Sequence, residues 1–358
     1  MKNKILIIHY EFYKNYLNKN IGYFIDSAIS KGYEVDFLTL SSNIHENLKK
    51  DNFKIIPIDE NHMESINLYL YIFKNRSIYK YVWIYPSYKY INFLLLFLRI
   101  LDVKPIIKTD SMIIKKYTRF SPYWIRQQVK KKLTSLLAYK IIVENKKLLD
   151  FYSTKKTLQY SLGLPQKNLD IIKELSTNIK KEKTILYIGR INHAKGLDRL
   201  IEVFERLIMS RKINNEFNLK IVGKVVEQEY YNNLFKKVQE SDILKTRVSF
   251  QNERNGKDYY KEILKASLVV LPTRNEGLPN ILADCYFCKT LFLTTKGAKA
   301  SDIILDNKLF CENDEDSLYK CIENVLNSLD NYYANYYSHY NGKYFVEANS
   351  FFEEFLND

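Results

Sequence analysis

At 358 residues the chain is long enough for two ordinary domains, and 46% hydrophobic with 27% charged residues excludes a wholly disordered polypeptide. A formal charge of +14 favours an anionic partner: nucleic acid, an anionic membrane face or a phosphorylated substrate. The longest apolar run, YINFLLLFLRIL, falls short of the roughly 18 residues that span a bilayer, and the apolar core of MKNKILIIHYEFY is too short for a signal peptide. The expected location is therefore cytoplasmic, with peripheral contact to the inner face of the plasma membrane.

Short apolar runs alternate with amphipathic patterns along the chain. ILIIHY reads as a first strand, IGYFIDSAISKG as a helix and YEVDFLTL as a strand; YVWIYP, a helix through YINFLLLFLRILD, and PIIKTD repeat the rhythm. It restarts at residue 184 with TILYIGR, GLDRLIEVFERLIMS, FNLKIVGK, VSFQ, KEILKAS, LVVLPT, EGLPNILADCYF and TLFLTT. Strand and helix in alternation predict an α/β fold with parallel sheets covered on both faces. The polar stretch PQKNLDIIKELSTNIKKEK reads as a hinge between two Rossmann-like domains, residues 1–178 and 179–342, facing each other across a cleft. The tail, about residues 343–358, is expected to pack back on the first domain.

Ligands of open α/β sheets bind at the carboxyl ends of strands, which directs attention to GRINHAKGLDRL after TILYI. Gly189 permits close approach, Arg190 offers a bidentate fork and Lys195 a point charge, and the following helix adds free N–H groups. That set suits a diphosphate; solvated surface cations are the plain alternative. The second piece is LPTRNEGLPNILADCYFCKT. Glu276 stands in a loop before a helix and Asp284 eight residues later, so both carboxylates could address one ligand, with the amides of Gly277 and Leu278 as donors. Alternatively Glu276 caps the helix and Asp284 is solvated.

Taken together, GRINHAKGLDRLI and EGLPNILAD, with KIVGK and ASLVVLPT between them, resemble the nucleotide-sugar-binding domain of the retaining glycosyltransferases of family four (glycosyl transferases group 1), which have the GT-B fold. The resemblance covers about residues 184–330. It implies an enzyme that moves a sugar from a nucleotide-diphosphate-sugar donor to a hydroxyl of a glycan or lipid-linked glycan, in a bacterial surface polysaccharide pathway such as capsule or lipopolysaccharide. By the same resemblance Arg190 and Lys195 hold the donor diphosphate, Glu276 contacts the donor sugar, the amides after Gly277 meet sugar or phosphate, and Asp284 binds ribose hydroxyls. It also implies no metal or cofactor, since fixed cations and helix termini neutralise the leaving group.

The chain departs from the family pattern at several points. The second Glu of the E-x7-E motif is Asp284, the small-residue turn after it is Cys288-Lys289-Thr290-Leu291, and the later Gly-Gly loop is Lys296-Gly297-Ala298. In the first domain the opening loop EFYKNYLNKNIG lacks Gly-Gly, with Gly22 near the start of the helix. Asp110, ending PIIKTD, stands where related enzymes carry a residue near the acceptor, as base or orienting group, or else caps a turn. His9 reads as a packed or cleft-lining residue.

Between Ser111 and Val143 there are eight Lys or Arg and no acid, with Tyr117, Phe120, Tyr123 and Trp124 interleaved. An anionic membrane surface suits this mixture; a single-stranded nucleic acid or a solvated helix are the alternatives, and no nucleic-acid recognition motif is present. Cys285 and Cys288 form a C-x-x-C pair without a second pair at zinc spacing, so buried reduced thiols are expected. A dinucleotide oxidoreductase is disfavoured because no G-x-G-x-x-G follows the first strand. The rival to an enzyme is a non-catalytic binding or scaffold subunit with a degraded donor site.

Overall fold

The computed structural model describes residues 4–12, 20–40, 42, 44, 51–58, 66–85, 91–109, 118–143, 146–159, 163–213 and 216–345. The chain divides into two units, one running through residue 165 and the other from 166 to 347.

The first unit contains β1 (Lys4–Ile8), α1 (Asn20–Ser30), β2 (Glu34–Leu40), β3 (Phe53–Ile58), α2 (Ile66–Asn75), β4 (Tyr79–Ile84), α3 (Ile91–Ile100), β5 (Lys104–Thr109), α4 (Pro122–Leu137), β6 (Lys140–Val143), α5 (Lys146–Tyr152) and β7 (Thr157–Gln159). Its strands form one parallel sheet in the order β3-β2-β1-β4-β5-β6-β7. Because helices cover both faces, the strands are near-continuous apolar runs: in β1 all residues after Lys4 are buried. On one side Leu68 and Ile72 of α2, Leu94, Leu95 and Leu98 of α3 and Leu148 of α5 close over Leu6, Val82 and Ile107. A side chain of this type contributes about 1.5–3 kcal/mol when fully buried.

In the second unit come α6 (Gln166–Ser176), β8 (Glu182–Ile188), a 3-10 turn (His193–Lys195), α7 (Leu197–Met209), β9 (Asn218–Val222), α8 (Gln228–Glu240), α9 (Leu244–Arg247), β10 (Val248–Gln251), α10 (Gly256–Lys265), β11 (Ala266–Leu271), α11 (Ile281–Phe287), β12 (Phe292–Thr295), β13 (Phe310–Cys311), α12 (Glu315–Leu326) and α13 (Leu329–Ala334). This parallel sheet runs β10-β9-β8-β11-β12-β13. Helix α7 shows why the sequence is legible here: Leu197, Leu200, Ile201, Phe204 and Leu207 recur at helical spacing and all are buried. Asp314 starts α12 by accepting a hydrogen bond from the Ser317 amide at 2.8 Å.

One boundary differs from the sequence reading. The polar hinge contains helix α6, which belongs to the second unit: Ile172 is buried, and Asn168 Nδ2 donates to the Tyr260 hydroxyl on α10 at 2.9 Å. Its apolar residues recur at helical spacing among many charges, and that pattern is masked when composition alone is weighed. Residues 343–345 lie in the second unit, and the expectation for the rest of the tail falls outside the described residues.

In each sheet the strand order reverses once, between β1 and β4 and between β8 and β11. Connections leave these neighbouring strands in opposite directions, opening a crevice at their carboxyl ends.

Candidate functional site

At the second sheet's reversal point, β8 and β11 lie side by side, with Leu186 opposite Val269. The chain leaves β8 through Gly189, whose amide still bonds the Val222 carbonyl at 3.0 Å, and makes the 3-10 turn before α7. The chain leaving β11 passes Pro272 and crosses over that turn. Gly196, between turn and helix, has φ 69°, and a Cβ there would sit 2.1 Å from the Pro272 carbonyl oxygen. Only glycine satisfies both the left-handed backbone and the close approach.

Hydrogen bonds then fasten the two loops. The Ala194 carbonyl accepts from the Arg274 amide at 2.9 Å and from Thr273 Oγ1 at 3.1 Å. The Arg274 guanidinium grips both oxygens of Asp198, at 2.8 and 2.6 Å, and donates to the His193 carbonyl at 2.8 Å. Tyr230 adds its hydroxyl to Asp198 at 2.6 Å. Burial raises the Asp198 carboxyl, but the bonds from Arg274 and Tyr230 outweigh it and hold the group at about 2. From the other side the loop after β12 pairs with the Glu276 segment: the Glu276 amide donates to the Gly297 carbonyl at 2.9 Å, and the Lys299 amide to the Gly277 carbonyl at 3.1 Å.

These fastenings bring Lys195 and Glu276 together. Lys195 Nζ pairs with Glu276 Oε1, the side chains being only 12% and 22% exposed. The other carboxylate oxygen, Glu276 Oε2, is buried without a hydrogen-bond partner, as is Asn192 Oδ1 in the adjoining loop. A buried carboxylate oxygen left unpaired is costly, and a ligand hydroxyl would satisfy it. The amides of Gly277 and Leu278 donate to no group among the described residues. Arg190 is exposed and has no carboxylate partner among them, while its carbonyl is fixed by the Tyr187 hydroxyl at 2.6 Å. The site thus offers a free guanidinium, a lysine, two amides and an acceptor oxygen at the mouth of one crevice.

Asp284 is not brought to this cluster. It lies in α11, buried, and its two oxygens accept from Tyr259 at 2.9 Å and Tyr260 at 3.1 Å. Burial pushes its carboxyl up to about 6, with the tyrosine bonds opposing. The shorter Asp side chain and the two tyrosines on α10 turn the second carboxylate of the motif into an interior group. Asp110 lies outside the described residues, as do residues 111–117 of the basic stretch. His9 follows β1 with Nδ1 2.7 Å from the Glu11 carbonyl oxygen and its ring edge-on to Tyr85. All four cysteines are free and buried, and burial raises the Cys285 and Cys288 thiols. Among the described residues no three His, Cys, Asp or Glu side chains gather as a metal site.

Sequence reasoning missed Arg274, Asp198, Tyr230 and Asn192. Arg274 stood inside the quoted TRNEG loop and Asp198 inside GLD, so an acid and a base flanking the two motifs were the available signal.

Two doubly wound α/β units in tandem, the second with its charged cluster at the sheet reversal, are the architecture of the GT-B fold. Comparison with known proteins agrees. Residues 170–339 match the family model described as Glycosyl transferases group 1. An uncharacterised glycosyltransferase of Haemophilus influenzae is 29% identical over 156 residues, 42% of this chain and 42% of that protein. The chain thus spans less than half the length of the curated relatives it matches. Among solved structures, HepE of Anabaena in complex with UDP superposes with a TM-score of 0.68 at 13% identity, covering 99% of each chain. WaaG, a glycosyltransferase involved in lipopolysaccharide biosynthesis, superposes with a TM-score of 0.60 at 16% identity over 92% of this chain and 93% of that one.

Proposed function

We propose that this chain is a retaining glycosyltransferase that moves a sugar from a nucleotide-diphosphate donor onto a hydroxyl of a glycan or lipid-linked glycan. Its setting is bacterial surface polysaccharide biosynthesis, at the inner face of the plasma membrane. The observation that carries the reading is the unpaired Glu276 Oε2 beside Lys195, two free amides and Arg190. Arg190 and Lys195 neutralise the diphosphate as it leaves, without a metal. Glu276 Oε2 accepts from a donor-sugar hydroxyl, and the Gly277 and Leu278 amides donate to sugar or phosphate oxygens. Asp110 stays assigned, from the sequence, to the acceptor side. The HepE complex with UDP supports a nucleoside diphosphate as the leaving group and puts UDP first in the test panel.

A second reading, a non-catalytic binder, is favoured by one observation: Asp284 is buried and both its oxygens are taken by tyrosines. Melting-temperature shifts with UDP, GDP, ADP and CMP, on wild type and on Arg190→Ala/Lys195→Ala, test the site. Nucleotide at 100 times its dissociation constant adds about 2.7 kcal/mol of stability. A shift with one diphosphate, abolished in the double variant and joined by nucleotide release from the matching donor sugar, is the expected result. Binding without release in the presence of acceptor glycolipid would favour the binder, and no shift at all would remove the donor site.

A further inference from the structure

Helix α4 is built inside out. Its one buried side chain is Thr134, 3% exposed, which donates to Asn92 Oδ1 on α3 at 2.7 Å. Gln127, Gln128, Lys131 and Ser135 are half-buried beside it. Of its apolar residues, Leu137 packs partly against the core and Trp124 is half-buried, but four face the other way. Ile125, Val129, Leu133 and Leu136 recur at helical spacing opposite Thr134 and are 40% to 67% exposed. A helix folded only to complete a core would present the reverse pattern.

Neighbouring helices of the same layer extend the stripe. On α3 Phe93, Leu96 and Ile100 are exposed, and on α2 Ile66, Leu70 and Phe73. Tyr69 of α2 packs its ring against Phe93 and Phe97, and Arg99 of α3 donates to the Leu137 carbonyl of α4 at 2.9 Å, so the three helices lie side by side. Just before α4, Phe120 is exposed in a left-handed backbone, φ 66°, which is unfavourable for an aromatic residue. The exposed charges on these three helices have one sign: Lys74, Arg99, Arg126, Lys130 and Lys132, with no Asp or Glu in α2, α3 or α4.

We propose that the α2–α3–α4 face of the first unit is a docking surface for an anionic lipid bilayer, the apolar stripe entering the interface while the cations meet headgroup phosphates. This deepens the membrane-side part of the proposed function and rests on that reading for its purpose. The occupant follows from the combination: an apolar stripe flanked by cations alone matches a layer that is apolar below and negative above. A protein partner would need carboxylates placed against each cation, whereas a fluid anionic lipid surface offers phosphates anywhere. Long Lys and Arg stems lie along the apolar surface and lift their charges to the phosphates.

The test is co-sedimentation of the full chain with vesicles of phosphatidylcholine alone or with roughly one-third phosphatidylglycerol. Three forms are compared: wild type, Ile125→Ser/Val129→Ser/Leu133→Ser/Leu136→Ser, and Arg126→Gln/Lys130→Gln/Lys132→Gln. All substituted residues are outside the core, and each variant's melting temperature is measured first. Wild type should bind only the anionic vesicles. The charge variant should lose about a hundredfold in partitioning, from three near-surface cations, and the serine variant at least tenfold. No binding to anionic vesicles overturns the proposal, as does a serine variant that binds like wild type. So does a dimer in solution that the serine variant dissolves, which would assign the face to a second copy of the chain. Oligonucleotide binding abolished by the charge variant, with vesicles ignored, would assign it to nucleic acid. A nucleotide-induced melting shift without vesicle binding sinks this proposal alone, and vesicle binding without any nucleotide shift sinks the donor-site reading alone.

Discussion

The two sheets have the same parallel, once-reversed topology, and among the described residues it is the second that shows its strand-end loops fastened together. At the second sheet the loops after β8 and β11 are cross-linked through the Ala194 carbonyl, the Arg274–Asp198 clasp and the Gly297–Glu276 bond. At the first, Thr39 near the end of β2 and Thr109 at the end of β5 have buried hydroxyls with no partner among the described residues. The buried carboxylates differ as well. Asp36 on β2 accepts from Tyr79 at 2.6 Å with Lys4 at 3.9 Å, whereas Asp284 has two tyrosines and no cation partner among the described residues. Topology supplies a crevice to both units, and at the second the cross-linked loops hold opposite charges at fixed positions in it. Such preorganisation is what electrostatic catalysis requires.

The comparison breaks hardest at Glu276. Glu276→Gln should lower transfer by two to three orders of magnitude, about 3–4 kcal/mol. Nucleotide binding should survive, because Lys195 released from its carboxylate is free for phosphate. Donor-dependent nucleotide release and the melting shift, measured together, separate these effects; loss of both would make the ion pair structural. Next is Gly196→Val, which combines a left-handed backbone with a clash against the Pro272 carbonyl. A loss of at least about 3 kcal/mol in urea unfolding is expected, and an unchanged midpoint would mean that the loops are not tightly held.

Asp284 yields an effect of similar size with a distinctive pH signature. Its folded value, about 6, lies above the 3.8 of the unfolded chain, so the native state holds the proton more tightly. Its contribution to stability is fully present below 3.8 and falls as pH rises to 6, by about 3 kcal/mol in all. Asp284→Asn removes that slope. The variant should gain on wild type by about this amount between pH 4 and 7 in paired urea titrations, with nucleotide binding retained. A flat difference would mean that the carboxyl is ionised throughout.

Much of this was legible in the sequence because periodicity is a local property. The strands β1, β8 and β11 and the helix α7 announce themselves as apolar runs and stripes, and the restart at residue 184 marks a second sheet. Gly189, Arg190, Lys195 and Glu276 were selected by their place at strand ends together with the resemblance of GRINHAKGLDRLI and EGLPNILAD to the glycosyl transferases group 1 pattern. What composition hid was non-local. Whether Asp284 faces a ligand or the interior depends on Tyr259 and Tyr260 on another helix, and nothing in EGLPNILAD encodes their presence. The inside-out character of α4 depends likewise on Asn92, which draws Thr134 inward.

The smallest effects test the clasp and a positive-φ glycine of the first unit. With Arg274 in place the Asp198 carboxyl sits at about 2, below the unfolded 3.8, so its stabilising contribution is present above 3.8 and lost as pH falls through 2. Asp198 is about one-third exposed and partly screened by solvent. Arg274→Ala should therefore cost only about 1–2 kcal/mol at pH 7, a deficit that shrinks toward pH 2. Transfer should fall about tenfold while nucleotide still shifts the melting temperature, since the clasp positions Lys195 and Glu276 without touching the donor. In the first unit Gly32 also has positive φ, 81°, but a Cβ there would meet nothing within 4 Å. Gly32→Ala should cost about 1 kcal/mol, the backbone penalty alone. If it costs as much as Gly196→Val, the close approach to the Pro272 carbonyl is not what makes glycine necessary at 196.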